Sequence, residues 1–294
     1  MTITLSRIEA VRFGRHPAFL FGAALGITLT AMALKEQASD QVTGDSLSMP
    51  VVALTVGLAS MITGYHLTRS FQRADEVVEA APVCVTRRTG ALCLAALVPA
   101  LVASGWLVVY YWLQPATLRP PEWLYGEFSH ADIATVLVGN SAVSAVGGTL
   151  LGIAAGRWWR FRGASAVLVV AVVVWTIGVL GTFSTGESAP APWQRWVRLF
   201  EPVGYFSSAT QYNTSIISLT GSPSWYLAWV VTLCGLAAIA ALLWRAEGPT
   251  RRRLILVGVV TLLVSAVTYG LAAGGGLSEP MRTYPDGHSV VLTK

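Results

Sequence analysis

The sequence predicts an all-α integral membrane protein, a polytopic helix bundle with about seven transmembrane helices. Hydrophobic residues make up 54% of its 294 residues and charged residues only 12%, against roughly 25% charged in an average soluble domain. A water-soluble surface cannot be assembled at that charge density. Seven apolar stretches also divide the chain, and the segments between them alternate between arginine-rich and arginine-poor, which indicates a fixed orientation in a membrane.

Each apolar stretch has close to the ~20 residues that cross the hydrocarbon core of a bilayer. Only a helix satisfies every backbone amide within its own segment in lipid, so all seven are predicted helices. Asp, Glu, Lys and Arg are absent from them. Spans one to seven cover residues 18–34, 49–67, 89–112, 133–156, 164–183, 225–244 and 254–273.

Span one has a second interpretation. Arg7, Arg12 and Arg15, the apolar run and the small residues Ala31 and Ala33 also fit a secretory signal with a cleavage site. The basic region is long for a signal peptide, and cleavage would still leave six spans. We therefore interpret this stretch as a transmembrane helix.

The basic residues predict the orientation. Most arginines fall on one side of the predicted membrane, and by the positive-inside rule that side is cytoplasmic. The other side carries only Lys35, Arg119, Arg195, Arg198, Arg282 and Lys294. The amino terminus is then cytoplasmic and, after seven spans, the carboxyl terminus is extracellular. The net charge of +5 follows from the cytoplasmic arginines and does not indicate nucleic-acid binding, which needs a clustered basic face.

Residues 1–16 form a cytoplasmic segment before span one. They fit either a short helix lying on the membrane surface or a basic topology anchor, because the arginines and the apolar residues do not separate well on a helical wheel. The sequence leaves both interpretations open.

The longest cytoplasmic connection, residues 69–88, contains RSFQRADEVVEAAP. On a helix this segment would separate an apolar stripe from an acidic edge, and Pro82 would end it. The apolar stripe consists of Phe71, Ala74, Val78 and Ala81, and the acidic edge of Asp75, Glu76 and Glu79. It fits either a solvated helix resting on the membrane or a docking element for a soluble partner.

The outer loop, residues 184–224, contains APAPWQRWVRLFEP. Trp193, Trp196, Val197 and Phe200 recur at helical spacing, and Arg195 and Arg198 fall on the opposite, polar face. We expect a short helix in the outer interface, where the tryptophan ring and its N–H are both accommodated. The hydroxyl-rich stretch after it, residues 205–222, would re-enter the membrane or remain outside.

Span four holds the most polar side chain at membrane depth, Asn140. A hydrogen bond between packed helices is its default role, although it is also the polar candidate for a transport pathway. Small residues allow helices to approach closely, within one subunit or between two. They lie in spans one and four as Gly22, Gly26, Gly147, Gly148, Gly152 and Gly156.

Several kinds of chemistry lack their sequence signatures. No GxxxxGK[ST] phosphate loop occurs, so any use of ATP needs another subunit. No HxxxH or CxxC spacing predicts a metal site, and we expect no cofactor. His66 is predicted to be interfacial, and Asp132 to cap span four. Because the spans lack the ionisable groups that carry coupling ions, ion-coupled transport is disfavoured.

The order of features resembles the type-2 ABC exporter permeases, particularly those of high-GC Gram-positive bacteria. The resemblance covers about the first 245 residues and is carried by RHPAF before span one, by DEVVEAAPV, by TRRTGALCLAALVPAL and by the outer loop with its short helix. It implies a six-helix permease core at residues 17–245 in a bacterial plasma membrane. The usual member ends there with both termini inside, whereas residues 246–294 add a seventh span and a short outer tail.

The resemblance also implies partners and sites. The expected partners are a separate ATP-binding cassette ATPase subunit, a second permease copy and the lipid bilayer. Trp193, Trp196 and Phe200 would belong to the outer gate. The residues that couple the permease to the ATPase would be Asp75, Glu76, Val77, Val78 and Glu79.

We therefore expect the chain to be the membrane subunit of an ATP-driven exporter, not itself an enzyme. Two alternatives stay open. A membrane enzyme, such as an acyl or glycosyl transferase, would use Glu127, His130 and Asp132 as its acid/base group. A non-transporting immunity or scaffold protein would simply occupy the membrane.

Overall fold

The computed structural model describes residues 2–37, 52–73, 84–112, 123, 126–159, 161, 163–183, 193–199, 206–209 and 215–292. Two predicted sites lie wholly or partly outside these residues. The coupling residues Asp75, Glu76, Val77, Val78 and Glu79 are outside them, and so is Phe200.

Helices dominate the described part of the chain. Two five-residue π-helical segments adjoin α-helices, Ala53–Gly57 directly before Leu58 and Gly139–Val143 between Val138 and Ser144. The helices are α1 (Thr2–Gly14), α2 (Pro17–Gln37), α3 (Leu58–Arg73), α4 (Val85–Leu94), α5 (Leu97–Trp112), α6 (His130–Val138), α7 (Ser144–Trp158), α8 (Ala164–Phe183), α9 (Gln194–Leu199), α10 (Pro223–Leu243) and α11 (Gly248–Gly274).

The described residues of each predicted span are helical, except for turns at Ala95 and Ala96 in span three and at Trp244 in span six. Within the described residues, four helices are long and apolar enough to cross a membrane, and two further apolar helices are shorter. The four are Val85–Val108, His130–Trp158, Pro223–Leu243 and Gly248–Gly274, and the two are Pro17–Met32 and Ala164–Val179. These helices fit a helical membrane protein, while the count of seven spans stays a prediction.

Glycines bring α3 into close contact with α2 and α7. A Cβ atom added at Gly152 would overlap the backbone carbonyl of Met61, and one added at Gly148 would overlap that of Gly57. A Cβ atom at Gly22 would overlap the side chain of Ala59. The predicted small-residue surfaces of spans one and four are thus used for packing within this chain.

A small antiparallel sheet joins the outer loop to the carboxyl-terminal tail. Its four described strands run in the order β1 (Ser207–Ala209), β2 (Ile216–Ser218), β3 (Met281–Thr283) and β4 (Ser289–Val291). The register pairs Ile216 with both Ala209 and Thr283. The described residues between 205 and 222 are therefore mainly strands and connections, and their re-entry into the membrane stays a prediction.

The outer segments meet at one end of the bundle, here called the sheet end. Gly126, with φ +58°, lies close to Ser218 of β2, and the Glu127 amide donates to the Ser218 Oγ over 3.1 Å. The Ser222 amide donates to the Ala272 carbonyl over 2.9 Å, which ties the start of α10 to the end of α11. Described parts of three segments thus lie together: the one between spans three and four, the one between spans five and six, and the carboxyl-terminal tail.

The opposite end, here called the arginine-rich end, gathers α1, the end of α3, the start of α4 and the end of α7. Arg12 of α1 donates to the Ser70 Oγ of α3 over 3.4 Å. Arg157 of α7 donates to the Thr89 Oγ1 of α4 over 2.9 Å. The two ends match the two sets of segments that the arginine distribution separates.

Helix α1 packs on the protein, which neither open interpretation of residues 1–16 anticipated. Phe13 is fully buried and meets Phe19 edge to face, with ring centroids 5.2 Å apart. Glu9 is only 3% exposed and accepts from Arg12 over 3.3 Å. Apolar and polar residues separate poorly on the helical wheel of α1, and the structure matches this, since Ile8 and Val11 are exposed whereas Glu9 is buried.

The buried Glu9 carboxyl makes the stability of this end depend on pH. Burial raises the pKa of Glu9 above its ordinary 4.5, opposed by the guanidinium groups of Arg12 and Arg88. A carboxyl with a raised pKa in the folded state binds more protons there than in the unfolded chain. Its contribution to stability is therefore present below pH 4.5 and is lost as the pH rises through its folded-state pKa.

We expect Glu9→Gln to flatten the dependence of stability on pH and to leave the protein at least as stable as the wild type at neutral pH. The measurement is the thermal unfolding midpoint in mild detergent across a pH series from mildly acidic to neutral. Glu247→Gln, at an exposed acidic position of the same end, is the control and should keep the wild-type slope. An unchanged slope in Glu9→Gln would contradict the prediction.

Candidate functional site

An apolar cleft of about 700 Å³ among the described residues is suited to ligand binding. Its volume falls within the roughly 300–1,000 Å³ typical of small-molecule sites. It opens between α3, α7, α8 and α10. The described lining includes Ala53, Leu54, Leu58, Met61, Val143, Ser144, Gly147, Gly148, Leu151, Ala154, Ala171, Val172, Trp175, Thr176, Trp229, Val230, Leu233, Cys234, Ala237 and Ala240.

Helix α8 forms one wall of the cleft and is packed closely on the bundle near its start. Ala164 and Leu168 of α8 are buried against Met61, Tyr65 and Ala155. One turn further along, Ala171 and Val172 already border the cleft. The facing walls carry many alanines and glycines, whose short side chains leave the gap between the helices unfilled.

The cleft extends along the helix axes. From Val143 to Ala154 the wall formed by the π-helical segment and α7 covers 11 residue steps, or about 16 Å at 1.5 Å per residue. Trp229 and Ala240 mark the same extent on α10. None of the described lining residues carries a charge. An elongated, uncharged space of this kind suits an apolar molecule.

The π-helical segment Gly139–Val143 shapes the polar part of the wall. The Ser144 Oγ donates to the Gly139 carbonyl over 2.8 Å, and the Cys234 Sγ donates to the Val143 carbonyl over 3.7 Å. Both bonds satisfy backbone carbonyls within or at the edge of the irregular turn. Single π-helical turns inside α-helices are frequent at functional sites, and this one borders the cleft directly.

Asn140 lies in the same π-helical segment but is fully buried. Its neighbour Ser141 is also buried and donates to the Leu137 carbonyl over 2.5 Å. The polar residue that the sequence singled out is therefore inside the helix packing beside the cleft. The default prediction of a packing role agrees with this position better than a direct role on the pathway wall.

The predicted outer helix exists as α9, with Trp193 just before it. Trp193 is 58% exposed and Trp196 37% exposed, while the Tyr269 Oη donates to the Trp196 carbonyl over 2.5 Å. The tryptophans thus lie on the surface at the sheet end, as expected for interfacial residues. A role in an outer gate stays a prediction.

One side of that outer helix differs from the prediction. Arg198 was expected on the exposed polar face, but it is only 3% exposed and donates to the Thr220 carbonyl. Leu199 is fully buried. The helix is anchored by the arginine as well as by its apolar residues, because a backbone carbonyl of the following segment lies within its reach.

Asp132 caps α6, as the sequence predicted. Its Oδ2 accepts from the Ser129 amide over 3.3 Å and from the Ser129 Oγ over 2.7 Å, while the Asp132 amide donates back to the Ser129 Oγ over 3.2 Å. This reciprocal pair is a capping box. His66, which the sequence predicted to be interfacial, is exposed and stacks on His16, with ring centroids 6.0 Å apart.

The sequence did not point to Arg157, a buried cation at the arginine-rich end. Its guanidinium lies 5.2 Å from the centroid of the Trp244 ring, and it is 3% exposed. The Thr89 hydroxyl accepts one of its N–H groups. This side chain joins α4, α7 and the end of α10, and only its place at the end of an apolar run could have marked it.

No protein-family model, curated protein or solved structure matches the chain. The functional argument therefore depends on the residues and the geometry described above.

Proposed function

We propose that this chain is the membrane subunit of an ATP-driven exporter, forming half of a translocation pathway and coupling to a separate ATP-binding cassette ATPase. The observation that carries the proposal is the apolar cleft of about 700 Å³ between α3, α7, α8 and α10. A charge-free cleft among helices suited to the membrane supports passage of an apolar or lipid-like cargo. It does not support a small ion, which needs polar or ionisable ligands.

Helix α3 supports the proposed coupling. Its residues Leu58 and Met61 line the cleft, and the helix continues to Arg73, about 18 Å beyond Met61 at 1.5 Å per residue. The acidic residues Asp75, Glu76 and Glu79 follow directly in the sequence. A movement of that segment on a partner ATPase would reach the cleft wall through one continuous helix.

The proposed mechanism is indirect. ATP binding closes two ATPase subunits, the acidic segment transmits that movement, and two permease copies switch the pathway between inward and outward access. We propose the arginine-rich end as cytoplasmic, because the positive-inside rule favours it. The sheet end, with the carboxyl terminus, would then be extracellular in a bacterial cell membrane.

The test is affinity purification of the tagged protein from its native membranes in mild detergent, with an ATPase assay of the eluate. We expect an ATPase to co-purify with the wild type and its amount to fall about tenfold or more in Glu76→Lys/Glu79→Lys, because charge reversal places like charges in the interface. Glu247→Lys is the matched control, since it reverses an exposed acidic residue at the same end. An eluate without ATPase, or equal recovery in the double variant, would count against the proposal.

The two alternatives make different predictions. A membrane enzyme would lose activity on replacement of Asp132, and the engagement of that carboxylate in a capping box disfavours a catalytic role for it. A scaffold or immunity protein would keep its phenotype and its partners in Glu76→Lys/Glu79→Lys. Recovery of the ATPase thus separates the exporter from both.

A further inference from the structure

Thr176 differs from the other buried threonines in the described helices. Thr149 is one of these and shows the usual arrangement, shared by Thr135 and Thr261, in which the hydroxyl donates to the carbonyl four residues back over 2.7–2.9 Å. Thr176 is fully buried on α8, and its Oγ1 has no hydrogen-bond partner. A buried hydroxyl without a partner costs free energy, so a ligand that accepts its hydrogen bond would recover that cost.

Thr176 also borders the cleft, at the part nearest the sheet end. Along α8 the chain runs from the buried Ala164 toward α9 at the sheet end, so Thr176 lies beyond Ala171 in that direction. Trp229 comes early in α10, which starts at the sheet end. The cleft therefore has the Thr176 hydroxyl, Trp175 and Trp229 at one end and apolar groups, such as those of Met61, Ala154 and Ala240, at the other.

We propose that the cleft binds an uncharged, single-chain amphiphile, with its hydrogen-bond-accepting group on the Thr176 hydroxyl and its apolar chain extending toward the arginine-rich end. The length of about 16 Å along α7 suits an extended chain, and the absence of charge from the described lining disfavours an ionised head group, whose burial is costly. The inference rests on the proposed function in one respect, since it identifies the bound amphiphile with the exported cargo.

Binding is measured on the purified protein in phosphatidylcholine nanodiscs with a medium-chain monoacylglycerol as the probe. The probe carries bromine either beside its ester or at the far end of the chain, and bromine quenches nearby tryptophan fluorescence. Trp229 is only 3% exposed, so the part of the quenching that Trp229→Phe abolishes reports the cleft rather than bulk lipid. We expect the quenching that depends on Trp229 to saturate with probe concentration and to be stronger when the bromine lies beside the ester.

The decisive variants differ by one hydroxyl. Thr176→Val keeps the shape of the side chain, and we expect it to raise the dissociation constant of the probe roughly three- to tenfold, as the loss of one hydrogen bond does. Thr176→Ser retains the hydroxyl and should stay within about twofold of the wild type. Thr261→Val on α11 removes a hydroxyl outside the described lining and should change nothing.

Equal probe affinity in Thr176→Val, no saturable quenching of Trp229, or stronger quenching from the chain end would overturn the proposed site. Equal binding of an alkyl trimethylammonium or an alkyl phosphate of the same chain length would overturn the uncharged class. ATPase co-purification is scored separately. If probe binding depends on Thr176 but no ATPase co-purifies, the proposed site is supported and the exporter function is rejected. If an ATPase co-purifies but probe binding does not depend on Thr176, only the proposed site is rejected.

Discussion

Replacing Gly152 with alanine should prevent most of the protein from reaching its folded state. The added Cβ would overlap the backbone carbonyl of Met61 where α3 and α7 are in contact. A flexible side chain could move aside, but a backbone carbonyl cannot do so without moving α3. We expect a cost of about 3 kcal/mol or more, at the upper end of overpacking penalties, and far above the ~1 kcal/mol that alanine gains over glycine in a helix.

The measurement is the yield of monodisperse protein in mild detergent, together with its thermal unfolding midpoint. Gly178→Ala on α8 is the matched control, because a Cβ atom there meets nothing within 4 Å. It should be neutral or slightly stabilising, since it gains helix propensity without a clash. A Gly152→Ala protein as stable as the control would show that α3 and α7 are not in contact as described.

The second large effect is expected from Ile216→Asp in β2. Ile216 is 1% exposed and pairs with Ala209 on one side and Thr283 on the other. A carboxylate at this position would be buried without a cation directly opposite it on either neighbouring strand, at a cost of several kcal/mol. Strands of three residues cannot offset that, because a two-stranded hairpin alone is marginally stable. We expect β3 and β4 to separate from β2.

Limited proteolysis measures this separation. Trypsin should cut after Arg282 of β3 at least about tenfold faster in Ile216→Asp than in the wild type, since local opening exposes the backbone. Val291→Asp introduces the same group at a 39% exposed position of β4 and should leave the cleavage rate nearly unchanged. The helices should remain folded in both variants. If Arg282 is as well protected in Ile216→Asp as in the wild type, the result would argue against the sheet.

The helices were predictable because each satisfies its own backbone hydrogen bonds in lipid. Span five was predicted at residues 164–183 and α8 is Ala164–Phe183, while span six at 225–244 corresponds to Pro223–Leu243. The capping box at Ser129 and Asp132 was also accessible, since it needs only residues three apart. Such local rules operate without knowledge of the rest of the fold.

Features set by distant partners were not predicted. The strands are three residues long, too short for an alternating pattern, and Ile217 pairs with Arg282 across two intervening spans. The π-helical segments shift a few hydrogen bonds and leave no periodicity to detect. The cleft was missed because α8 is apolar all round, so its sequence does not indicate which residues leave the bundle. The role of Asp75 to Glu79 stays a prediction.

The β2–β3 pairing has a consequence for the order in which the protein is made. β2 precedes α10 and α11 in the chain, whereas β3 and β4 follow them. During synthesis the β1–β2 pair therefore keeps one edge unpaired until α10, α11 and β3 have been made. An open edge is a template for wrong pairing, so a chain halted before Met281 would be prone to aggregation or to recognition by quality-control proteases. Closure of the sheet thus requires that both α10 and α11 have already been synthesised.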